Sequence, residues 1–311
     1  MTCARQRGGN RGRSTLQLRS QGPKRRGMAE STPKQRPTEA SLSHSGALDE
    51  MSTDEILELI HKEDAVAHRA VGDVLPQMSD AVEVLATALS GGGRWFNVGA
   101  GTSGRLGVLD ASEIPPTYGL PPRIVQGLMA GGDRALRAAV EGAEDDADAG
   151  ALELEERGVT LGDVVVGLSA SGTTPFVLGA VEAAGKLGAR TIAITCDAGS
   201  PLADSVEISI APEVGPEVVT GSTRMKGGLA QKMVLTALST AVMVRMGRVR
   251  GHHMTHITPV SSKLRGRALR IVMELGDVDR ERARDLLRTT QGSVEAALQM
   301  LDTERRVEAQ S

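Results

Sequence analysis

Apolar and polar positions along the chain change period several times, and each change marks an element. Ile56, Leu59 and Ile60 recur at helical spacing directly after Ser52-x-x-Glu55, a pattern in which hydroxyl and carboxylate cap the first turn of a helix. A second helix is predicted over 79–89. Beyond it, short unbroken apolar runs alternate with helical periods. Strands are predicted at 95–98, 124–128, 164–168 and 191–195, with a shorter alternating one at 206–210. Helices are predicted after the glycine loop at 99–104, over 134–149 and 175–187, and as a long apolar segment over 228–246. Apolar strands separated by helices imply a largely parallel sheet covered on both faces. Ligands of such sheets bind beyond the carboxyl ends of the strands, which singles out the loops beginning at Gly99, Gly127 and Ser169. The tail of the chain differs: 281–287 and 293–301 read as short amphipathic helices parted by Gln291-Gly292. The predicted fold class is therefore α/β, a parallel sheet sandwiched by helices, with a small C-terminal helical module. The expected boundaries are 37–250 for the α/β domain and 251–311 for the module.

The loop after the first strand carries the most chemistry. Gly99, Gly101 and Gly104 let the backbone turn tightly, and Thr102 and Ser103 add hydroxyls where the next helix begins. Free N–H groups and hydroxyls converging on a helix start suit an anion, most naturally a phosphate. The same residues spell G-x-G-x-x-G. A dinucleotide site would need an acidic residue ending the second strand, and that run closes on Gln126-Gly127 instead. A second hydroxyl loop, Ser169 to Thr174, leads into Pro175 at a helix N1 position. Two such loops at parallel strand ends, without a Walker-type lysine motif, suit a sugar monophosphate rather than a nucleoside triphosphate. Glu113 lies further along, beside Pro115-Pro116. A carboxylate is repelled by a bound phosphate, so acid–base work on the rest of the ligand is its natural task.

Composition narrows the picture. The 311 residues are 40% hydrophobic and 1% aromatic, so the core must be built from Val, Leu, Ile, Ala and Met. A net charge of −3 gives no global case for nucleic-acid binding. Cys3 and Cys196 suggest neither a disulfide framework nor a metal cluster. A reduced, cytoplasmic setting is expected, with no membrane partner, since no apolar run reads as a transmembrane span and the N-terminus lacks a signal-like apolar segment. Residues 1–37 hold ten Lys/Arg and one acid, Glu30. Residues 1–36 read as a basic, disordered extension, or as upstream sequence ahead of a start at Met28.

Three further segments have two readings each. In 217–226, Arg224 and Lys226 could close over an anion beside Thr220, Ser222 and Thr223, or pair with acids. On the helix predicted over 134–149, Glu141 and Glu144 fall three apart on one face, followed by Asp145 and Asp146. One carboxylate from there, together with Glu113, would supply an acid and base, while the bland reading is a solvated acidic face. His252, His253 and His256 form HHxxH, but the zinc-protease form needs a glutamate after the first histidine, so no metal is expected.

Four ordered stretches make the chain resemble a known family: GAGTSGRLGVLDASEIPPTYG (99–119), GLMAGGDRALRAAVEGAEDD (127–146), VVGLSASGTTPFV (165–177) and EVGPEVVTGSTRMKGGLAQKMVL (213–235). Together they are similar to the N-acetylmuramic acid 6-phosphate etherases, which use the sugar isomerase (SIS) fold, and the likeness runs from about Pro37 to the C-terminal helices. It implies a cytoplasmic homodimer acting without cofactor or metal. The implied reaction cleaves the ether between sugar C3 and D-lactate, giving N-acetylglucosamine 6-phosphate in cell-wall recycling. Matched to the family motif, Glu113 would protonate the departing lactate oxygen, and Glu144 would take the C2 proton or activate water. Spacing alone does not choose between Glu144 and Glu141. Phosphate recognition would fall to Thr102, Ser103, Ser171 and Thr174, with Ser169, Ser222 and Thr223 as further candidates.

The chain departs from the family at His252-His253, at Val260-Ser261 and at Leu42, and the extension 1–27 has no counterpart; none of these touches the two carboxylates. Two other readings share the cradle. One is a non-catalytic SIS sugar-phosphate sensor of the glucokinase regulatory protein kind, which would need no carboxylate pair. The other is an aldose–ketose isomerase, which would release no lactate.

Overall fold

The computed structural model describes residues 36–43 and 46–310. Residues 1–35 of the basic extension, with Cys3 and Met28, lie outside the described residues. Among the described residues, two single 3-10 turns, Pro37–Glu39 and Leu48–Glu50, precede α1 (Thr53–Asp73), whose capping box forms as expected: Ser52 Oγ accepts from the Glu55 N–H at 3.3 Å, and Glu55 Oε2 accepts from the Ser52 N–H at 2.8 Å. Then follow α2 (Leu75–Ser90), β1 (Trp95–Gly99), α3 (Gly101–Tyr118), β2 (Val125–Met129), α4 (Gly132–Ala135) and α5 (Ala147–Glu156). The second half adds β3 (Val164–Leu168), α6 (Pro175–Lys186), β4 (Arg190–Ile194), α7 (Pro201–Asp204), β5 (Ile208–Ile210) and α8 (Lys226–Arg245). A two-residue hairpin, β6 (Val249–Arg250) with β7 (His253–Met254), precedes α9 (Ser262–Gly276), α10 (Arg280–Thr289) and α11 (Val294–Glu308).

The first five strands form one parallel sheet in the order β2-β1-β3-β4-β5. Side chains alternate across it, as the pleat requires. Trp95, Val164, Val166, Ile192 and Ile194 point into a core shared with α1, α2, α3 and α8. Phe96, Val98, Val165 and Ala193 point the other way, onto α5, α6 and α7. Helices thus cover both faces, as the continuous apolar strands predicted. The strand order places β1 and β3 side by side, so the loops that leave them are neighbours at one end of the sheet. A separate apolar cluster joins Ile257 to α9, α10 and α11.

Several expectations are corrected. The helix predicted over 134–149 is broken: α4 stops at Ala135, Gly142 takes a left-handed φ of +75°, and Glu144 sits in a single 3-10 turn, Ala143–Asp145, ahead of α5. The glycine at 142 allows the left-handed turn that leads into Ala143–Asp145, because an L side chain is disfavoured in that conformation. Glu141 and Glu144 therefore do not share a helix face. The middle loop begins at Ala130 rather than Gly127, because β2 runs on to Met129. Helix α9 was not foreseen. Finally, α8 is long and apolar enough to cross a membrane by length and composition, contrary to the sequence reading. Its buried residues, from Ala230 through Val242, instead belong to the core between the sheet and its neighbouring helices.

Candidate active site

The geometry of the loop after β1 starts from contact between glycines. A side chain at Gly99 would meet the Gly104 backbone N at 2.6 Å, and one at Gly104 would meet the Gly99 O at 2.7 Å. Only hydrogen fits at both positions, so β1 can turn directly into α3 with the first turn of the helix packed on the strand end. Thr102 and Ser103 stand at that helix start. The second loop lies alongside. Ser169 Oγ is 2.8 Å from Thr174 Oγ1, Ser171 Oγ is 2.9 Å from Thr173 Oγ1, and the Gly172 N–H donates to Ser169 Oγ at 3.0 Å. The hydroxyls therefore hold one another in place before any ligand arrives.

Both loops open into one cavity of about 470 Å³, lined by Thr102, Ser103, Ser169, Ser171, Thr173 and Thr174 among others. Gly221 and Thr223 reach it from the segment before α8, and Glu39, Glu144 and Asp145 bring carboxylates to the same space. A cavity of about 250 Å³ shares Ala100, Gly101 and Glu144 with it and is also lined by Glu141. Of the candidates, Thr102, Ser103, Ser169, Ser171, Thr174, Thr223 and Glu144 are thus brought together. Ser222 is not among the lining residues, although both of its neighbours are.

Two details refine the hydroxyl assignments. Ser103 Oγ donates to Gln231 Oε1 at 2.8 Å, and Gln231 Nε2 donates on to the Ile194 carbonyl at 3.3 Å. The Ser103 hydroxyl proton is thereby committed, leaving the backbone N–H as its donor toward an anion. In the 217–226 segment, Lys226 is 2% exposed and its Nζ bonds Glu63 Oε2 at 2.6 Å. The Glu217 carboxylate accepts from the Lys226 and Gly227 N–H groups at 3.0 and 2.9 Å. The N-terminus of α8 is thus already satisfied by an internal anion. Pairing with acids, not closure over a ligand, is the fate of Lys226.

Glu113 is not in this cavity. It lies twelve residues into α3, and at a rise of ~1.5 Å per residue that is roughly 18 Å from the helix start. It lines a separate groove of about 340 Å³ between α3 and α8, together with Asp110, Lys232 and Ser239. Burial pushes the Asp110 carboxyl up to about 6, against a hydrogen bond from Ser239 Oγ at 3.0 Å and the nearby Lys232 charge. The histidines stand elsewhere: His253 bonds Glu274 at 3.1 Å, and His256 bonds Thr255 at 3.1 Å, with burial the largest influence lowering its pKa. Among the described residues no group of three His, Cys, Asp or Glu is placed to hold a metal.

Sequence reasoning missed Glu39, Asp145 and Gln231. Glu39 lies in a short 3-10 turn, Pro37–Glu39, far in sequence from both loops. Arg36 Nη1, which bonds Asp197 Oδ2 at 2.8 Å, ties that short segment to the loop after β4. Nothing local in the sequence announces Gln231, because its partners are 128 and 37 residues away.

The chain is similar to known proteins over most of its length. Residues 77–185 match the model of the glucokinase regulatory protein N-terminal SIS domain, and residues 148–241 match the SIS domain model. An N-acetylmuramic acid 6-phosphate etherase of Jannaschia sp. (strain CCS1) is 49% identical over 84% of this chain and 83% of its own length. Those of Serratia proteamaculans and Escherichia coli O6:K15:H31 are 50% and 46% identical over 82% and 85% of the chain, covering 86% and 89% of their own lengths. Among solved structures, a phosphoheptose isomerase from Francisella tularensis aligns at a TM-score of 0.48 and 18% identity, covering 62% of this chain and 100% of that one. With a five-stranded parallel sheet between helices, a hydroxyl cradle at its strand ends and 49% identity to such an etherase over 84% of its length, this chain belongs to the N-acetylmuramic acid 6-phosphate etherase family, on a SIS fold.

Proposed function

We propose that the chain cleaves N-acetylmuramic acid 6-phosphate to N-acetylglucosamine 6-phosphate and D-lactate in cell-wall recycling. The observation that carries this reading is the 470 Å³ cavity, in which a hydroxyl cradle faces the carboxylates of Glu144 and Asp145. The cradle donors suit the 6-phosphate. Ring opening exposes a C1 aldehyde that acidifies the C2 proton. A carboxylate, Glu144 by its match to the family motif, removes that proton. The C3–O bond breaks, the lactate oxygen takes a proton from Glu113, and a C2–C3 double bond forms. Water then adds its oxygen to C3 while a proton returns to C2, so the net change is hydrolysis. Two carboxylates suffice for these transfers, so the mechanism calls on no cofactor or metal.

The separation between Glu113 and its own cradle fits an assembly in which each site draws on two chains. The roughly 18 Å from the start of α3 exceeds what a hexose phosphate spans from phosphorus to C3. In a two-fold homodimer, the partner's copy of this helix would bring its glutamate to the cradle. The same reading takes 37–250 as the SIS domain, 251–311 as an appended helical module, and the cytoplasm as the place of action.

The test is to incubate the purified protein, with chelator, with N-acetylmuramic acid 6-phosphate and assay D-lactate. Release is expected, and it should be abolished by Glu113→Gln and by Glu144→Gln. Asp145→Asn belongs in the same set, because Asp145 lines the same cavity. Tight binding without lactate would replace this reading with a regulatory one.

A further inference from the structure

The α3–α8 groove holds more than Glu113. Leu106 and Leu109 on α3 and Leu235 on α8 give it apolar walls, and Lys232 is the one cation among its lining residues. Lys232 is solvent-exposed. It stands one helical turn from Thr236 and near enough to Asp110 to influence that carboxyl electrostatically. Asp110 Oδ1 is held by Ser239, while its Oδ2 is buried without a partner.

Resting on the etherase reading, we propose that this groove is the subsite for the lactyl group and that Lys232 is the counter-ion to the lactyl carboxylate. The argument is one of bond connectivity. The ether oxygen that Glu113 must protonate is attached to the lactyl Cα, which carries both the carboxylate and the methyl group. Whichever groove holds the acid therefore holds that carboxylate as well. Bringing an anion beside Asp110 and Glu113 requires a positive charge in the same space, and Lys232 supplies it. The leucine walls take the methyl group. A neutral 3-hydroxyl in place of the lactyl ether would gain nothing from the lysine, so Lys232 sets specificity rather than performing chemistry.

The competing role for Lys232 is simply to neutralise Asp110, and the experiment separates the two. KM for N-acetylmuramic acid 6-phosphate is measured beside the inhibition constant of N-acetylglucosamine 6-phosphate, which shares sugar and phosphate but lacks the lactyl group. Lys232→Met should raise KM by roughly tenfold or more while leaving that inhibition constant within about twofold, and Lys232→Arg should recover most of the loss. The KM effect should persist in an Asp110→Asn background, where the Asp110 charge is no longer there to neutralise. An unchanged KM overturns the assignment, as does a parallel loss for both sugars or disappearance of the effect in the Asp110→Asn background. Absence of lactate release by the unaltered protein would instead overturn the etherase reading itself.

Discussion

The hydroxyl of Ser103, at the start of α3, donates to the buried amide oxygen of Gln231 on α8 at 2.8 Å. Gln231 in turn donates to the Ile194 carbonyl at the end of β4. One side chain thus ties the loop after β1 to a strand end on the far side of β3.

Replacing Gln231 with leucine should therefore reach both stability and binding. It leaves the buried Ser103 hydroxyl without its partner, a cost of about 1–3 kcal/mol, and takes from the Ile194 carbonyl one of two donors, the Ser169 N–H remaining at 3.2 Å. A lower unfolding midpoint in denaturant, together with a raised KM and a kcat changed less, is the expected outcome. A fall in kcat at constant KM would place Gln231 in the chemical step.

The Lys226–Glu63 pair should behave as a buried ion pair. Side-chain exposures of 2% and 15% mean that Glu63→Gln strands an ammonium with little water around it. The expected loss is about 3–5 kcal/mol, with the Glu63→Leu/Lys226→Met double variant recovering much of it. Equilibrium unfolding of the two variants decides the matter: equal losses in both would mean that the pair is not the source.

Asp110 makes a prediction about pH. Its folded carboxyl is raised from 3.8 to about 6, with burial the main cause. Between those values the native state binds more protons than the unfolded one, so stability falls as pH rises through that window. The destabilisation is fully present above the folded pKa, and absent below the unfolded one. Asp110→Asn keeps an acceptor for Ser239 and removes the charge. Its unfolding free energy should lose this downward slope between about pH 4 and 6, and exceed that of the unaltered protein at pH 7.5 by at most about 3 kcal/mol. Identical pH profiles would show that Asp110 does not titrate in this window.

If each site draws on two chains, Glu113→Gln and Glu144→Gln should complement each other. Each variant alone is expected to be inactive. Unfolded together and refolded as a mixture, half of the dimers would be mixed, each with one intact site of two, restoring about a quarter of the activity. No recovery from a mixture shown to contain mixed dimers would place both carboxylates on the same chain.

The sequence by itself determined the parts whose cause is local. Apolar runs fixed the five strands of the parallel sheet to within a few residues, Ser52 and Glu55 the start of α1, and the glycine and hydroxyl loops the two turns that line one cavity. Four ordered motifs were enough to show the family. What the sequence could not decide turned on approach in space. Periodicity carried a helix through Gly142, because a composition compatible with helix gives no sign of one left-handed residue. Nothing near Lys226 shows that Glu63, 163 residues earlier, awaits its charge, or that Gln231 takes the Ser103 proton. Above all, the short stretch from Gly101 to Glu113 looks like proximity on paper. A helix advances steadily along its axis, so those twelve residues carry the carboxylate away from the cradle and into the α3–α8 groove.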